Sequence, residues 1–216
     1  MTDPELRAAD GRVPGRRGRA TRTRLLECTA EMLSTTSLRD LKVIDIAREA
    51  STSPATFYQY FPDVESAILV LAEDMATSTN ALSEHVRVAN WKGKGGYEAA
   101  LDLTDRFIEF WEEYRPVLRV VDLATGEGDR RFGHIRSRML NSVTVALSEA
   151  IKVAQPKPKG DEPLDPMATA GVLVAMLANV ASHRYGFEFW GIRTDEARRS
   201  MAHLIYWSVT GQRPPV

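Results

Sequence analysis

The stretch Ser53 to Asp63, SPATFYQYFPD, places four aromatic residues in five positions between two prolines. Tyrosine and threonine hydroxyls can bond phosphate oxygens, and a glutamine amide can bond a base edge; phenylalanine offers only surface to bury. On a helix starting at Pro54, Phe57, Tyr60 and Phe61 share one side at i, i+3 and i+4, with Tyr60 at its edge. Ala55, Thr56, Tyr58 and Gln59 point elsewhere. Such a helix can bury one side and offer the other to a DNA major groove. A purely structural amphipathic helix has the same spacing, so spacing alone leaves both readings open.

Other chemistry-bearing residues are sparser. Six arginines (Arg12, Arg16, Arg17, Arg19, Arg22 and Arg24) fall between Gly11 and Arg24 with no acidic residue among them. Such a run is either a solvated tail or an arm attracted to phosphates. The whole chain carries a net charge of −1 and argues for no partner by itself. His85, His134, His183 and His203 lack metal-ligand spacing, and no nucleophile–base–acid arrangement can be inferred, so neither a metal, a cofactor nor an enzymatic activity is expected. Gly93-Lys-Gly-Gly96 lacks the strand and helix context of a phosphate loop and reads as a turn. The single cysteine, Cys28, excludes an intrachain disulfide and sits in an apolar stripe, as a small core residue does.

The elements that must position these residues are helical. Helical periodicity recurs along the 216 residues, and no alternating stretch with hairpin turns is found. Helices are expected at about 21–34, 43–50 and from Pro54, with Ser53 as N-cap and proline at the first helical position. Pro62 stops the third helix and Asp63 caps a long fourth one, about 64–86. Beyond a glycine-rich loop at 91–96, helices follow at about 97–113, 116–123, 132–153, 165–185 and 194–210. QPKPKGDEP (155–163) reads as a linker. The most apolar run, Met167 to Ala181, is interrupted by Thr169 and Asn179 and falls short of a membrane span. No signal peptide is read, and the protein is expected to be cytoplasmic without a membrane partner.

Three short helices with a brief break between the second and third match a helix-turn-helix unit. LKVIDIAREASTSPATFYQYFPDVESAI (41–68) resembles the N-terminal domain of TetR-family transcriptional regulators, whose pattern runs Thr-x-x-x-Ile-Ala-x-x-Ala-Gly-Val-Ser-x-x-Thr-x-Tyr-x-Tyr-Phe-x-x-Lys-Glu. Ile46, Ala47, Ala50, Ser53, Thr56, Tyr58, Tyr60, Phe61 and Glu65 fit it. Four positions depart. Ser51 and Thr52 replace the turn Gly-Val, Lys42 replaces the hydroxyl that caps helix two, and Val64 replaces a phosphate-contacting lysine. With that lysine absent, the arginine run becomes the expected source of phosphate contacts.

The resemblance implies an all-α, TetR-like architecture: a flexible basic arm (1–20), a DNA-binding domain (21–66) and a helical effector-binding and dimerisation domain (67–216). It implies a homodimeric repressor released from a palindromic, double-stranded operator by a small lipophilic or aromatic effector. DNA contacts are expected from Arg16, Arg17, Arg19, Arg22, Lys42, Pro54, Ala55, Thr56, Tyr58, Gln59 and Tyr60. Thr104, Phe107, Phe110, Trp111, Tyr114, Met139, Asn141, Met176 and Asn179 are the expected effector-pocket members, although an aromatic core would use the same rings. The alternatives are a helical carrier or enzyme that does not bind DNA, and a DNA binder that activates or needs no effector.

Overall fold

The computed structural model describes residues 15–155 and 164–215. These residues form α-helices and no strand: α1 Arg16–Leu33, α2 Val43–Glu49, α3 Pro54–Tyr60, α4 Val64–Ser78, α5 Asn80–Val88, α6 Gly93–Glu113, α7 Arg115–Gly126, α8 Arg130–Ala154, α9 Pro166–Phe189 and α10 Thr194–Thr210. They divide into two compact units, with boundaries inside α4 and α8 and at the α6–α7 junction. The first holds the chain through Met75 together with Arg115–Ile135, so it includes α7, which lies in the 67–216 segment of the expected division. The second holds Ala76–Tyr114 and the chain from Arg136.

In the first unit, α1 buries Leu25, Leu26, Cys28 and Leu33, and α7 packs on it with Val117, Leu118, Val120, Val121 and Ala124 buried. Burial pushes the Cys28 thiol above its ordinary pKa, consistent with a packing role. Helix α1 starts at Arg16, five residues before the expected start, because arginine and alanine are strong helix formers and only Gly18 opposes them. Arg16, Arg17 and Arg19 are therefore helical, not part of a flexible arm; the remainder of the expected arm, 1–14 with Arg12, lies outside the described residues.

The α2–α3 connection is a four-residue turn. Ala50 ends α2, Ser51 is left-handed (φ 54°), and two reverse hydrogen bonds close the turn: Ser51 N–H to the Arg48 carbonyl (3.0 Å) and Thr52 N–H to the Ala47 carbonyl (2.8 Å). The same pair of bonds ends α7 at Gly128 and α9 at Gly191, both glycines at positive φ. At Ser51 a side chain occupies the conformation that glycine adopts freely, at a cost of about 1–2 kcal/mol.

In the second unit, α6 packs against α9 and α10. Leu103, Phe107, Phe110 and Trp111 of α6, Leu173, Val174 and Leu177 of α9, and Met201, Ile205 and Tyr206 of α10 are all buried. Arg198 of α10 makes a two-pronged ion pair with Asp105, and Arg184 of α9 donates to Glu112 at 2.6 Å, so both closing helices are tied to α6.

Three expected boundaries are corrected. The helix expected over 64–86 breaks at Thr79, whose backbone N–H and hydroxyl both turn back to the Ala76 carbonyl, at 3.3 and 2.7 Å. Thr77-Ser78-Thr79-Asn80 is a run of residues whose side chains compete for helix hydrogen bonds. The expected glycine-rich loop forms the first turn of α6, where Gly96 lies against the backbone of Trp91. Finally, α9 runs from Pro166 to Phe189 and so extends beyond the 167–181 run. By length and composition it is sufficient to cross a membrane, with an 18-residue window of mean hydropathy 1.3. It packs here on α6 and α10 and leaves a further apolar face uncovered. Of the expected linker at 155–163, Gln155 is described and donates to the Ser208 carbonyl at 2.7 Å, and 156–163 lie outside the described residues.

Relieving the left-handed serine tests the turn. Ser51→Gly is expected to stabilise the protein by about 0.5–1 kcal/mol and Ser51→Val to destabilise it by at least that much, read from urea midpoints. A glycine variant less stable than wild type would show that Ser51 is not strained.

Candidate nucleic-acid interface

Helix α3 is seven residues long and stands because its start and its inner side are both fixed. Ser53 Oγ accepts the Thr56 N–H at 3.2 Å and lies 3.0 Å from Thr56 Oγ1, while Pro54 supplies a preset φ at the first position. Phe57 and Phe61 are buried, with ring centroids 5.5 Å apart, and burying such a side chain contributes about 1.5–3 kcal/mol. Edge-on to Phe57, the Tyr58 ring remains 53% exposed.

The resulting outer side consists of Pro54, Ala55, Tyr58 and Gln59, all exposed. Thr56 is half-buried with its hydroxyl against Ser53, and Tyr60 is half-buried beside Phe61. The structure thus brings the α3 residues onto one short helix with a polar outer surface and a phenylalanine anchor. Lys42 is exposed at the start of α2 and makes no side-chain cap, so Asp45 is the acidic complement to that helix end.

The arginines separate into two groups. Arg16, Arg19 and Arg22 recur every third residue and follow one side of α1. This row ends with the Arg22 guanidinium 5.4 Å from the centre of the Phe61 ring, a cation–π contact that ties α1 to the end of α3. Arg16, Arg17 and Arg19 are exposed. Arg24 turns the other way, toward Glu27 (3.6 Å) and Glu31 (4.0 Å).

The segment after α3 is held by the expected Asp63 cap and by ion pairs that sequence reasoning missed. Asp63 caps α4 by accepting the Ser66 N–H at 2.7 Å. Within the first turn of α4, Glu65 accepts from Arg131 at the start of α8 (3.0 Å), and Arg131 also grips Asp129 (2.7 Å). Arg39, in the α1–α2 loop, reaches Glu127 at 3.2 Å. The Glu65 and Arg39 pairs join positions 66 and 88 residues apart, beyond what local patterning reports. Val64, in the place of the family lysine, is half-buried.

The nine expected pocket residues do not line one space. Phe107 and Trp111 stack at 4.8 Å and 13°, Phe110 and Tyr114 lie 4.8 Å apart, and the Thr104 hydroxyl donates to the Ala100 carbonyl at 2.9 Å. Met139 is buried and Met176 half-buried, whereas Asn141 and Asn179 face outward and anchor nothing inside. The rings fill the volume they were expected to surround. A groove of about 400 Å³ lies elsewhere in the same unit and includes none of the nine.

A family model described as the tetracyclin repressor-like C-terminal domain matches residues 82–216. No curated protein matches the sequence. Similar solved structures include a tetR-family transcriptional regulator from Streptomyces coelicolor, 16% identical with a TM-score of 0.65 over 87% of this chain and 79% of that one. The fatty acid degradation regulator FadR from Bacillus halodurans is 13% identical, with a TM-score of 0.65 over 94% of this chain and 100% of that one. The TetR family transcriptional regulator PfmR from Thermus thermophilus is 19% identical, with a TM-score of 0.59 over 85% and 97%. At these identities the likeness is one of fold.

The Arg131 clamp has a titration signature. The Arg131 side chain, then its backbone N–H, hold the Asp129 carboxyl down from 3.8 to about 2. A depressed carboxyl adds stability above its unfolded pKa, and this is lost as pH falls from about 4 through about 2. Because the pair is exposed, its effect at neutral pH is small. An NMR titration of the Asp129 carboxyl should give a midpoint near 2, and Arg131→Ala should move it back toward the ordinary range; an unmoved midpoint rejects the clamp.

Proposed function

The chain belongs to the tetracyclin repressor-like family, and from that premise we propose that it is a sequence-specific DNA-binding transcriptional regulator rather than an enzyme. It acts as a homodimeric repressor that leaves a palindromic operator when a small, largely lipophilic effector binds. The observation that carries this reading is the outer side of α3: Pro54, Ala55, Tyr58 and Gln59 stand free on a helix whose other side is locked by Phe57 and Phe61. Tyr58 and Gln59 stand together on the exposed side of this capped, proline-started helix, as a groove-facing helix requires.

Two kinds of contact follow. Gln59, with Ala55 and Pro54 nearest the groove, reads base edges, while Tyr58, Tyr60, Thr56 and Lys42 reach the sugar–phosphate backbone. Arg16, Arg17 and Arg19 supply positive charge from the start of α1, with Arg22 holding α1 on α3 as well as facing phosphate. This charge matters because Asp45, Glu49, Asp63 and Glu65 surround the reading helix in sequence, and affinity for DNA depends first on neutralised phosphates.

Dimerisation is supported by the face that α9 and α10 leave uncovered. Val172, Ala175, Asn179 and Gly186 recur at helical spacing on α9 and are exposed, Val172 by 69%. On α10, Leu204 and Trp207 are about half exposed, Trp207 by 52%. Small residues on α9 allow a close helix approach, and the larger side chains of α10 give apolar area to bury against a second copy. An effector then acts by binding the DNA-released conformation more tightly than the bound one, which sets the limit of its leverage.

Selection from random duplex DNA with the full chain is expected to return a palindromic site. Gln59→Ala should relax preference at one position per half-site at a cost of about 1–3 kcal/mol. Replacing Arg16 or Arg19 by alanine should weaken all sites alike and lower the salt slope by about 0.9 for each phosphate no longer neutralised. Binding without sequence preference overturns the reading. For the dimer, sedimentation should give two chains per particle, and a Val172→Arg, Ala175→Arg double variant should sediment as a folded monomer; an unchanged particle moves the interface elsewhere.

A further inference from the structure

The glycine-rich run Gly93-Lys94-Gly95-Gly96 and the tryptophan before it have no part in DNA reading, yet they shape a site. Trp91 is buried, and its indole N–H donates to the Val86 carbonyl at the end of α5 (3.2 Å). A Cβ on Gly96 would lie 2.5 Å from the Trp91 carbonyl carbon, so only glycine lets the Trp91–Lys92 backbone rest on the first turn of α6. These two constraints set the loop as one wall of the groove of about 400 Å³. The other wall is α8, where Ala146 and Ala150 are one turn apart and leave room that larger side chains would fill. Val153, one turn further, is 88% exposed at the same groove. The volume falls within the roughly 300–1,000 Å³ of ligand-sized pockets.

The charged lining of the groove is Arg87, Glu149 and the exposed Lys92. Arg87 is balanced by Glu84 (3.9 Å) and Glu149 (3.8 Å). Lys92 also lines the groove and has no carboxylate within ion-pair distance among the described residues. The first turn of α6, beginning at Gly93, contains no acid, so the positive helix end adds to the same sign.

We propose that this groove binds an amphiphilic monocarboxylate, its alkyl or aryl body along Ala146, Ala150 and Val153 and its carboxylate at Lys92. The inference deepens the regulatory reading by naming the effector's chemical class, and it rests on that reading for the regulatory role alone. An uncharged amphiphile leaves the exposed Lys92 to water and gains no ion pair there, and a cationic one is repelled by it.

Calorimetric titration of the full chain with octanoate, decanoate and 4-phenylbutyrate tests this. At least one carboxylate is expected to bind saturably at one site per chain, with decan-1-ol at least tenfold weaker than decanoate and decyltrimethylammonium not binding. Lys92→Met should weaken the carboxylate about tenfold and leave the alcohol unchanged. Ala150→Trp should fill the groove and remove binding of both, and Ala146→Leu, a smaller filling, should weaken both if the tryptophan variant does not fold. No saturable binding of any of the three carboxylates, an alcohol that binds as tightly as decanoate, or an indifferent Lys92→Met variant overturns the proposal. Because no DNA is present, carboxylate failure with operator binding intact overturns only the groove assignment. Carboxylate binding by a chain that selects no operator supports the groove and overturns the regulatory reading.

Discussion

The reversal at Ala50-Ser51-Thr52 decides what the first unit can present. Two backbone bonds, to Arg48 and Ala47, force α3 to leave α2 at one angle, and only then do Phe57 and Phe61 reach the core. A helix of seven residues is too short to stand on its own propensity, so its stability comes from this turn, the Ser53 cap and the two buried rings. A serine in the left-handed position is held there because the surrounding packing outweighs its local cost. The direction of Tyr58 and Gln59 is therefore a consequence of backbone geometry two turns earlier.

Charge is distributed around that helix by separate means. In a chain with net charge −1 a cationic surface has to be concentrated locally, and α1 does so by carrying Arg16, Arg19 and Arg22 in one row. Nearby acids are removed from competition by pairing. Glu65 and Asp129 face Arg131, Asp45 faces Arg48 at 2.8 Å, and Glu127 faces Arg39. These exposed pairs add little to stability. Their effect on the interface is to lower the negative field near α3 and to fix the first turn of α4 behind it.

Much of the first unit is legible in the sequence because its determinants are local. Ser53-Pro54, Pro62-Asp63 and the i, i+3, i+4 rings each act within one turn, and the structure holds the Ser53 and Asp63 caps and buries Phe57 and Phe61. The start of α1 is harder to read, since an arginine-rich run suits a solvated tail and a helix equally; arginine favours helix as readily as it favours water. The break at Thr79 is hidden for the opposite reason: apolar periodicity continues through Leu82 and Val86, while the bonds that end α4 are made by the Thr79 hydroxyl and backbone N–H turning back on Ala76. Periodicity reports which face is buried and is silent on who satisfies the backbone. The Arg131–Glu65 and Arg39–Glu127 pairs exist only once the tertiary fold brings distant positions together.

The second unit shows why ring content is a poor guide to where space exists. Phe107, Phe110, Trp111 and Tyr114 sit at helical spacing on one helix, so they reach each other before they reach anything else, and their contacts close the volume. Space survives where side chains are small on one wall and the opposite wall cannot advance. On α8 the small residues are Ala146 and Ala150; opposite them, the Trp91 loop is pinned by its own indole and by contact with Gly96. A tightly packed interior leaves few voids by accident. An alanine pair facing a glycine-seated loop therefore leaves a groove open here, where the cluster of aromatics closes its own space.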